Sequence, residues 1–428
     1  MRKGKRLLLV AATTGYQTRE FAEAARRLEV ELVLATDRCH VLEDPWGDHA
    51  IPVRFEALEE SAAAAAAAGP FDGPFDGLVA VGDRPARLAA LIATRLGIPF
   101  SPPDAVEACG DKFLARERLR SAGMRVPRYF RVPVQEDPRT AAERAPYPCV
   151  LKPLGQAASR GVIRADDREE FVAAFHRIRA LLEVADVLRF RDARDRYILV
   201  EAFIEGPEFA VEGLVTAGKL QTLALFDKPD PLDGPFFEET IYVTPSRQPE
   251  VVRQELIGAT QEAVRALGLT HGPLHAELRH NREGAWILEV AARPIGGLCS
   301  RALRFAPDTS LEELLLRHAL GEDVGEVSLA TPASGVMMIP IPRAGIYAGA
   351  RGVREAEAVP GVEQVIVTAR EGQALVPLPE GSSYLGFLFA RGSTPDEVEA
   401  AMRRAHAHLE FEIRSSLPVV SAAALLTP

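Results

Sequence analysis

The chain has 428 residues, enough for two or three domains with cores of their own. Sixty acidic residues outnumber 50 basic ones, a formal charge of -10, which argues against a nucleic-acid binder built on a general basic surface. The four cysteines, Cys39, Cys109, Cys149 and Cys299, form no CxxC pair, so they point to neither a disulfide framework nor a zinc site and fit a reducing cytoplasm.

In chain order, residues 6–10 read as a buried parallel-sheet strand rather than a leader, because the apolar run is short and no cleavage site follows. No apolar run approaches the ~20 residues of a membrane span. A loop over 11–17, a helix over 18–28 and a second strand over 31–35 follow. Residues 78–81 form another strand, leading through Gly82-Asp83-Arg84 into a helix over 85–96. Strands alternating with helices predict an open, doubly wound parallel sheet. The first loop is TTGYQ, not GxGxxG, so a nicotinamide-type dinucleotide site is poorly supported. The alanines at 62–68 end a helix, and the GPFDGPFDG after them reads as a surface insertion.

From Asp111 the sequence DKFLARERLRSAG forms a helix that stops at Gly123, with Lys112 in its first turn. That lysine either sits in solvent or reaches a phosphate. YPCVLKPLGQAASRGVIRA then gives a strand ending at Lys152, a small-residue loop over 155–161 and a hairpin return over 162–164. A lysine at a strand end before such a loop can clamp a phosphate, with backbone N–H groups assisting; the plain alternative is an ordinary hairpin. An amphipathic helix covers 169–182. The stretch YILVEAFIEGPEFAVEGLV gives a strand, an extended connector and another strand. The connector suits an adenine edge, and Glu208 suits ribose hydroxyls; exposed glutamates on a hairpin are the alternative. Residues 226–246 are Pro-rich and read as irregular, carrying Lys228, Glu238 and Glu239. A helix over 248–267 follows.

HAELRHNREGAWILEVAARPIGG, residues 275–297, is the central stretch. Two strands flank a turn at 281–284. Alternation puts His275, Glu277 and Arg279 on one face of the first. On the second it puts Ile287, Glu289, Ala291 and Arg293 together, with Trp286, Leu288 and Val290 opposite. Glu277 and Glu289 then meet across the strands beside Arg293. A carboxylate in an apolar run is costly to bury unless something positive faces it, and Mg2+ carrying phosphates suits such a pair. A surface hairpin whose glutamates pair with its arginine is the alternative. Ser310-Leu-Glu-Glu313 is a capping box before a helix over 311–320. The tail alternates short strands with turns and one helix over 394–408, and reads as a small α+β domain.

The ordered set of Asp111-Lys112, Tyr147-Pro-Cys-Val-Leu-Lys152-Pro, Glu201-Ala-Phe-Ile-Glu-Gly-Pro-Glu208 and the Glu277/Glu289 pair resembles the ATP-grasp superfamily of carboxylate–amine ligases. Within it, His275 two residues before Glu277, Leu288-Glu289-Val-Ala291-Ala-Arg293 before Pro294-Ile-Gly296-Gly297, and a tail with Val336-Met-Met-Ile-Pro-Ile-Pro and Tyr384-Leu-Gly-Phe are similar to the L-amino acid ligases that make dipeptides. Ala291 stands where many superfamily members place a metal-ligating Asn, which leaves the hold on a second metal ion open.

The resemblance implies an ATP-grasp fold, α/β and α+β in class. A pre-domain would cover 1–105, an ATP-grasp domain 106–330 with its lid near 125–196, and a C-terminal domain 331–428. It implies ATP and Mg2+ (or Mn2+), small-molecule carboxylate and amine substrates, no nucleic acid or membrane partner, and a homodimer in the cytoplasm. Lys112 and Lys152 would neutralise the ATP phosphates under a loop containing Ser159 and Gly161. Glu201 and the backbone of Ala202, Phe203 and Ile204 would read adenine, and Glu208 would bind ribose. Glu277 and Glu289 would hold the metal. Arg293, Gly296 and Gly297 would bind the substrate carboxylate and its acyl phosphate. His275 and Glu239 would recognise the amino acid, with a hydrogen-bonded core histidine as the other reading of His275. Two rival expectations stand beside this one: a ligase with a different acceptor or carboxylate, and a nucleotide-binding regulator that has lost catalysis.

Overall fold

The computed structural model describes residues 4–12, 17–37 and 50–415, apart from the side chains of 69–72. The loop expected at 11–17 falls largely outside these residues, as does Cys39. At the N-terminus, β1 (Arg6–Ala11), β2 (Glu31–Thr36), β3 (Ala50–Pro52) and β4 (Gly77–Val81) form a parallel sheet in the order β3-β2-β1-β4. Alternate residues of β1 feed two different cores. Leu8 and Val10 pack with Ala62 and Leu88 from helices on one face, and Leu7 and Leu9 pack with Phe21 from a helix on the other. That is the doubly wound arrangement its uninterrupted apolar run predicts.

One expectation fails here. The helix Leu58–Asp72 runs through the first copy of the GPFD repeat, and Phe75 of the second copy is buried beneath the Arg6 guanidinium. The second copy therefore contributes to the core and is not a mere surface insertion. Gly77 is required by close packing: a Cβ there would stand 2.2 Å from the Ala319 carbonyl oxygen, at the end of the helix Leu311–Ala319.

A second sheet of β5 (Tyr129–Pro133), β6 (Cys149–Pro153), β7 (Ile163–Ala165) and β8 (Tyr197–Ala202), ordered β5-β8-β6-β7, packs on the helix Arg168–Leu182 through Phe171, Phe175 and Ile178. The central sheet has eight antiparallel strands. Its first half comprises β9 (Glu208–Thr216), β10 (Lys219–Lys228), β11 (Ile241–Thr244), β12 (His271–Asn281) and β13 (Gly284–Ala291). After a minimal hairpin of β14 (Arg304–Phe305) and β15 (Thr309–Ser310) come β16 (Ala333–Ile339), β17 (Gly345–Arg351), β18 (Val362–Val367), β19 (Ala374–Leu375), β20 (Gly386–Gly392) and β21 (Glu410–Arg414). The central order is β13-β12-β9-β10-β11-β16-β20-β18, so β16, β20 and β18 continue the same sheet through the pairing Ile241↔Met337, while β19, β17 and β21 form a small sheet of their own. The stretch read as irregular over 226–246 instead contains the end of β10, whose last residue is Lys228, and the whole of β11; only the part between them lacks a strand.

The segment between β19 and β20 reaches back to the second sheet. Gly161 N–H donates to the Pro379 carbonyl at 2.7 Å, Arg160 Nε to the Glu380 carbonyl at 2.9 Å, and Arg177 Nη2 to the Glu380 carboxylate at 2.9 Å.

Candidate active site

Register assembles the site. In an antiparallel pair, residues directly opposite share a face. Glu208 stands opposite Lys228 on one neighbour and opposite Arg279 on the other. Glu212 stands opposite His275, and Glu277 opposite Glu289. One face of β10, β9, β12 and β13 therefore carries all of these groups.

A β-bulge between Glu277 and Leu278 overturns the expected alternation on β13. Leu278 faces Ile287, and Leu288 is the extra residue. Ile287 therefore turns into the core with Val290, whereas Leu288 lines the cavity beside Glu289. Without the bulge the two glutamates would not meet with an apolar floor next to them.

The cleft between the two sheets holds a cavity of about 120 Å3 that opens to solvent, lined by Lys112, Lys152, Glu201, Glu208, Glu277 and Glu289 among others. Its far end is apolar, with Val150, Leu288 and the rings of Phe203 and Phe237, whose centroids are 6.3 Å apart. A polar end and an apolar, aromatic end suit a nucleotide.

The helix Lys112–Ser121 is capped by Asp111, whose carboxylate accepts from the N–H groups of Phe113 and Leu114. Lys112 and Arg116, one turn apart, lie on one face of it. Lys112 Nζ donates to the Gln156 carbonyl at 2.7 Å and lies 3.0 Å from Glu289 Oε2. Arg116 is wholly buried; it donates to Glu201 at 2.5 Å and to the Leu288 carbonyl at 2.7 Å. Lys152 meets the other oxygen of Glu201. Burial opposes charge on Glu201, but Arg116 and Lys152 hold its carboxyl below the usual range; burial also lowers the Lys152 pKa, which Glu201 counters.

Of the expected adenine readers, the N–H of Ala202 donates to Arg128 O and that of Phe203 to Pro148 O, so both are engaged in the fold. Ile204 is the remaining N–H donor in that trio, and its carbonyl accepts from Arg279 Nη1 at 2.6 Å. Ser159 lines the cavity on a strained loop in which Ala158 and Ser159 both have positive φ (55° and 54°). Gly161, expected over the phosphates, lies outside the cavity lining, with its N–H held by Pro379.

Lys228 is the centre of the acidic group. Its ammonium donates to Glu208 at 2.8 Å, also meets Glu239, and lies 3.6 Å from Glu277. Arg279 Nε takes the second oxygen of Glu208 at 3.0 Å. The oxygens of Glu208, Glu239 and Glu277 lie within 4.8 Å of one another, but this nest already has the Lys228 cation. Burial pushes the Glu239 carboxyl up to about 7, with Glu277 adding to it and Lys228 opposing. Tyr242 donates to Glu239 at 3.0 Å.

Glu277 and Glu289 are each a quarter exposed toward the cavity, unlike Glu208 and Glu212. Hard oxygen ligands with an open side fit Mg2+ carrying phosphates. Ala291, where a further ligand was sought, is buried and apolar.

His275 bridges two carboxylates: Nδ1 is 3.0 Å from Glu212 Oε2, and Nε2 is 3.4 Å from Glu277 Oε1. Burial opposes its charge, yet these carboxylates hold its pKa up, at about 9. The other oxygen of Glu212 accepts the Ile295 N–H at 3.1 Å, while Gln17 Nε2 donates to the Ile295 carbonyl at 2.6 Å. The Pro294–Gly297 turn is thus held on both sides. Gly297 has φ +61°, and a Cβ there would press on the Phe387 ring at 3.0 Å. Arg293 Nε donates to Asp83 at 3.0 Å, reaching from the turn to the N-terminal sheet. A second cavity, about 400 Å3, is lined by Gly296, Gly297 and His275, and shares Glu239, Glu277 and Arg293 with the first.

The structure therefore gathers Lys112, Lys152, Ser159, Glu201–Ile204, Glu208, Glu239, Glu277, Glu289 and Arg293 around one cavity. His275, Gly296 and Gly297 line the adjoining cavity. Sequence reasoning named Lys228 and Arg279 without giving them a role, and missed Arg116 and Glu212. The one-turn spacing from Lys112 was a signal for Arg116; Lys228 closes an alternating run, KLQTLALFDK, that reads as a strand once it is counted.

Comparison with known proteins agrees with this geometry. An ATP-grasp domain model matches residues 145–302, and a model of the L-amino acid ligase C-terminal domain 2 matches 337–414. The crystal structure of an L-amino acid ligase from Bacillus licheniformis superposes with a TM-score of 0.79 at 26% identity, covering 97% of this chain and 100% of that one. Protein y4rH of Sinorhizobium fredii is 24% identical over 96% of this chain and 84% of its own length. Alanine–anticapsin ligase of Bacillus subtilis is 30% identical over 47% of this chain, a match that spans about half of that protein (45%).

Proposed function

Because the chain is an ATP-grasp ligase related to the L-amino acid ligases, we propose that it joins the carboxylate of one amino acid to the amine of another through an acyl phosphate. The observation that carries this reading is the shared wall of the two cavities. Glu239, Glu277 and Arg293 line both, so a nucleotide's terminal phosphate and a carboxylate in the second cavity would meet there.

In the first step a carboxylate oxygen of the donor attacks the terminal phosphorus of ATP. The bond from that phosphorus to the bridging oxygen breaks, and ADP leaves. Lys112 and Lys152 neutralise the phosphates, and Arg293 aligns the donor carboxylate; the work is positioning and charge compensation, with no protein nucleophile. Glu277 and Glu289 would hold Mg2+, which supplies charge neutralisation to the phosphate oxygens. In the second step the free amine attacks the acyl carbon, the carbon–oxygen bond to phosphate breaks, and the amine loses a proton. The N–H groups at Gly296 and Gly297 suit the oxyanion that forms. Glu239 faces the donor's ammonium. The adenine would lie at the end lined by Val150, Phe203 and Leu288, with the Ile204 N–H at its edge and Glu208 near the ribose.

The test is phosphate release from ATP and Mg2+ with pairs of amino acids, followed by mass analysis. Release that requires both partners and yields a dipeptide is the expected result. ATP binding with no ADP formed across a broad panel would overturn the reading.

A further inference from the structure

Arg84 opens the helix Asp83–Leu96, and Arg189 follows the short helix Ala185–Leu188 on the far side of the second cavity; both line it. Their guanidiniums stack on one ring, Phe190, with Cζ atoms 3.7 Å and 4.4 Å from its centroid. Stacking leaves the N–H donors, which lie in the guanidinium plane, free at the edges. Among the described residues neither guanidinium has a carboxylate within ion-pair distance. The nearby acids are engaged elsewhere: Asp83 accepts from Arg293 at 3.0 Å, and Asp192 accepts from Arg194 at 2.9 Å and from Arg87 at 3.4 Å. Asp195 also lies near Arg84 without reaching ion-pair distance; burial and then the Asp192 charge push its carboxyl up to about 6. Among the described residues, two guanidiniums without an ion pair thus face the cavity that holds the Gly296–Gly297 turn.

We propose that Arg84 and Arg189 receive the carboxylate of the amine substrate, so that the acceptor is an amine bearing its own carboxylate, an α-amino acid or a small peptide. This rests on the ligase reading above. The donor's carboxylate is consumed at Arg293, where it becomes the acyl phosphate. The acceptor's carboxylate survives the reaction and enters a cleft as a charge that needs a partner. Holding it at Arg84 and Arg189 keeps it away from the terminal phosphate. The pair would thereby decide which of two amino acids is activated and which attacks. Arg84 comes from the N-terminal unit, whereas Arg189 and Phe190 come from the lid. An anion between them would also draw the two sides together.

The experiment has two arms. Hydroxylamine first replaces the acceptor, and the hydroxamate formed from ATP and each carboxylate of a panel identifies the donor. With that donor fixed, dipeptide formation is compared for L-amino acids and their carboxamides as acceptors. The wild-type enzyme is expected to favour the free acid. In Arg84→Gln and in the Arg84→Gln, Arg189→Gln double variant the KM for the acid rises about tenfold or more, the scale of a lost charge-assisted bond, and the preference over the carboxamide collapses. Arg84→Lys keeps the charge and restores a large part of the preference. Hydroxamate formed normally, with acid and carboxamide accepted alike by the wild type or with the preference intact in the double variant, overturns the proposal alone. No hydroxamate from any carboxylate overturns the ligase reading and the proposal together.

Discussion

The carboxylate of Glu212 accepts the backbone N–H of Ile295 at 3.1 Å, across 83 residues of chain, and its second oxygen holds His275. A group with no solvent exposure thus connects Glu277, the proposed metal ligand, to the turn proposed to face the acyl group. Glu212→Gln keeps the size and one acceptor but loses the charge that orients His275. The expected loss in kcat is about 10–100-fold, as for other groups that orient metal ligands, with a smaller change in the KM for ATP. Steady-state kinetics beside a thermal melt checks this. A lower melting temperature with unchanged kcat would reduce Glu212 to a core contact.

Lys228 compensates three carboxylates at once. Lys228→Met leaves Glu208, Glu239 and Glu277 facing one another and should destabilise the fold by about 3–5 kcal/mol. Because like charges favour protonation, the variant should gain stability relative to the wild type as the pH falls from 8 to 6. Urea denaturation at the two pH values measures the difference.

Glu289→Gln should reduce turnover by about a hundredfold or more, since the metal-side stabilisation is worth several kcal/mol. The fold should be kept, because this carboxylate is partly open to the cavity and its one ion pair is to Lys112. Near-normal phosphate release from this variant would remove Glu289 from the metal site.

Far from the cleft, His271 and His318 stack with centroids 4.2 Å apart, and His318 Nε2 lies 2.8 Å from Thr216 Oγ1. Burial, with the neighbouring His271 adding to it, lowers the His318 pKa to about 4. The unfolded chain binds this proton near pH 6.5 and the folded one only near 4. Stability from the neutral ring is therefore complete above about 6.5 and falls as the pH drops toward 4, by on the order of 1 kcal/mol per unit. His318→Gln should flatten that slope in denaturant titrations across the window.

How far the site was legible in the sequence varies residue by residue. Lys112, Lys152, Glu277 and Glu289 could be read because each sits in a local pattern: a helix first turn, a strand end, a carboxylate in an apolar run. Lys228 and Glu212 could not. Their roles arise from which strands lie side by side, and β9 lies between β10 and β12 through pairings that no local period encodes. The same holds for the bulge at Leu288, where one extra residue reverses the faces that strict alternation assigns. The N-terminal sheet was legible almost strand for strand because a strand buried on both faces is apolar throughout. Phe75 was not, because a repeated GPFD motif looks alike whether it packs or protrudes.

The tie between Gly161 and Pro379 has a wider consequence. The loop beside the proposed nucleotide cleft is fastened to a segment some 220 residues later through the Gly161 N–H and Arg160, while Arg177 of the following helix holds the Glu380 carboxylate. To swing open, the loop must carry that segment along or let it go. How quickly ADP escapes would then depend on the C-terminal strands as much as on the cleft, and exchanging residues 331–415 between relatives would change turnover without altering any residue that lines the first cavity.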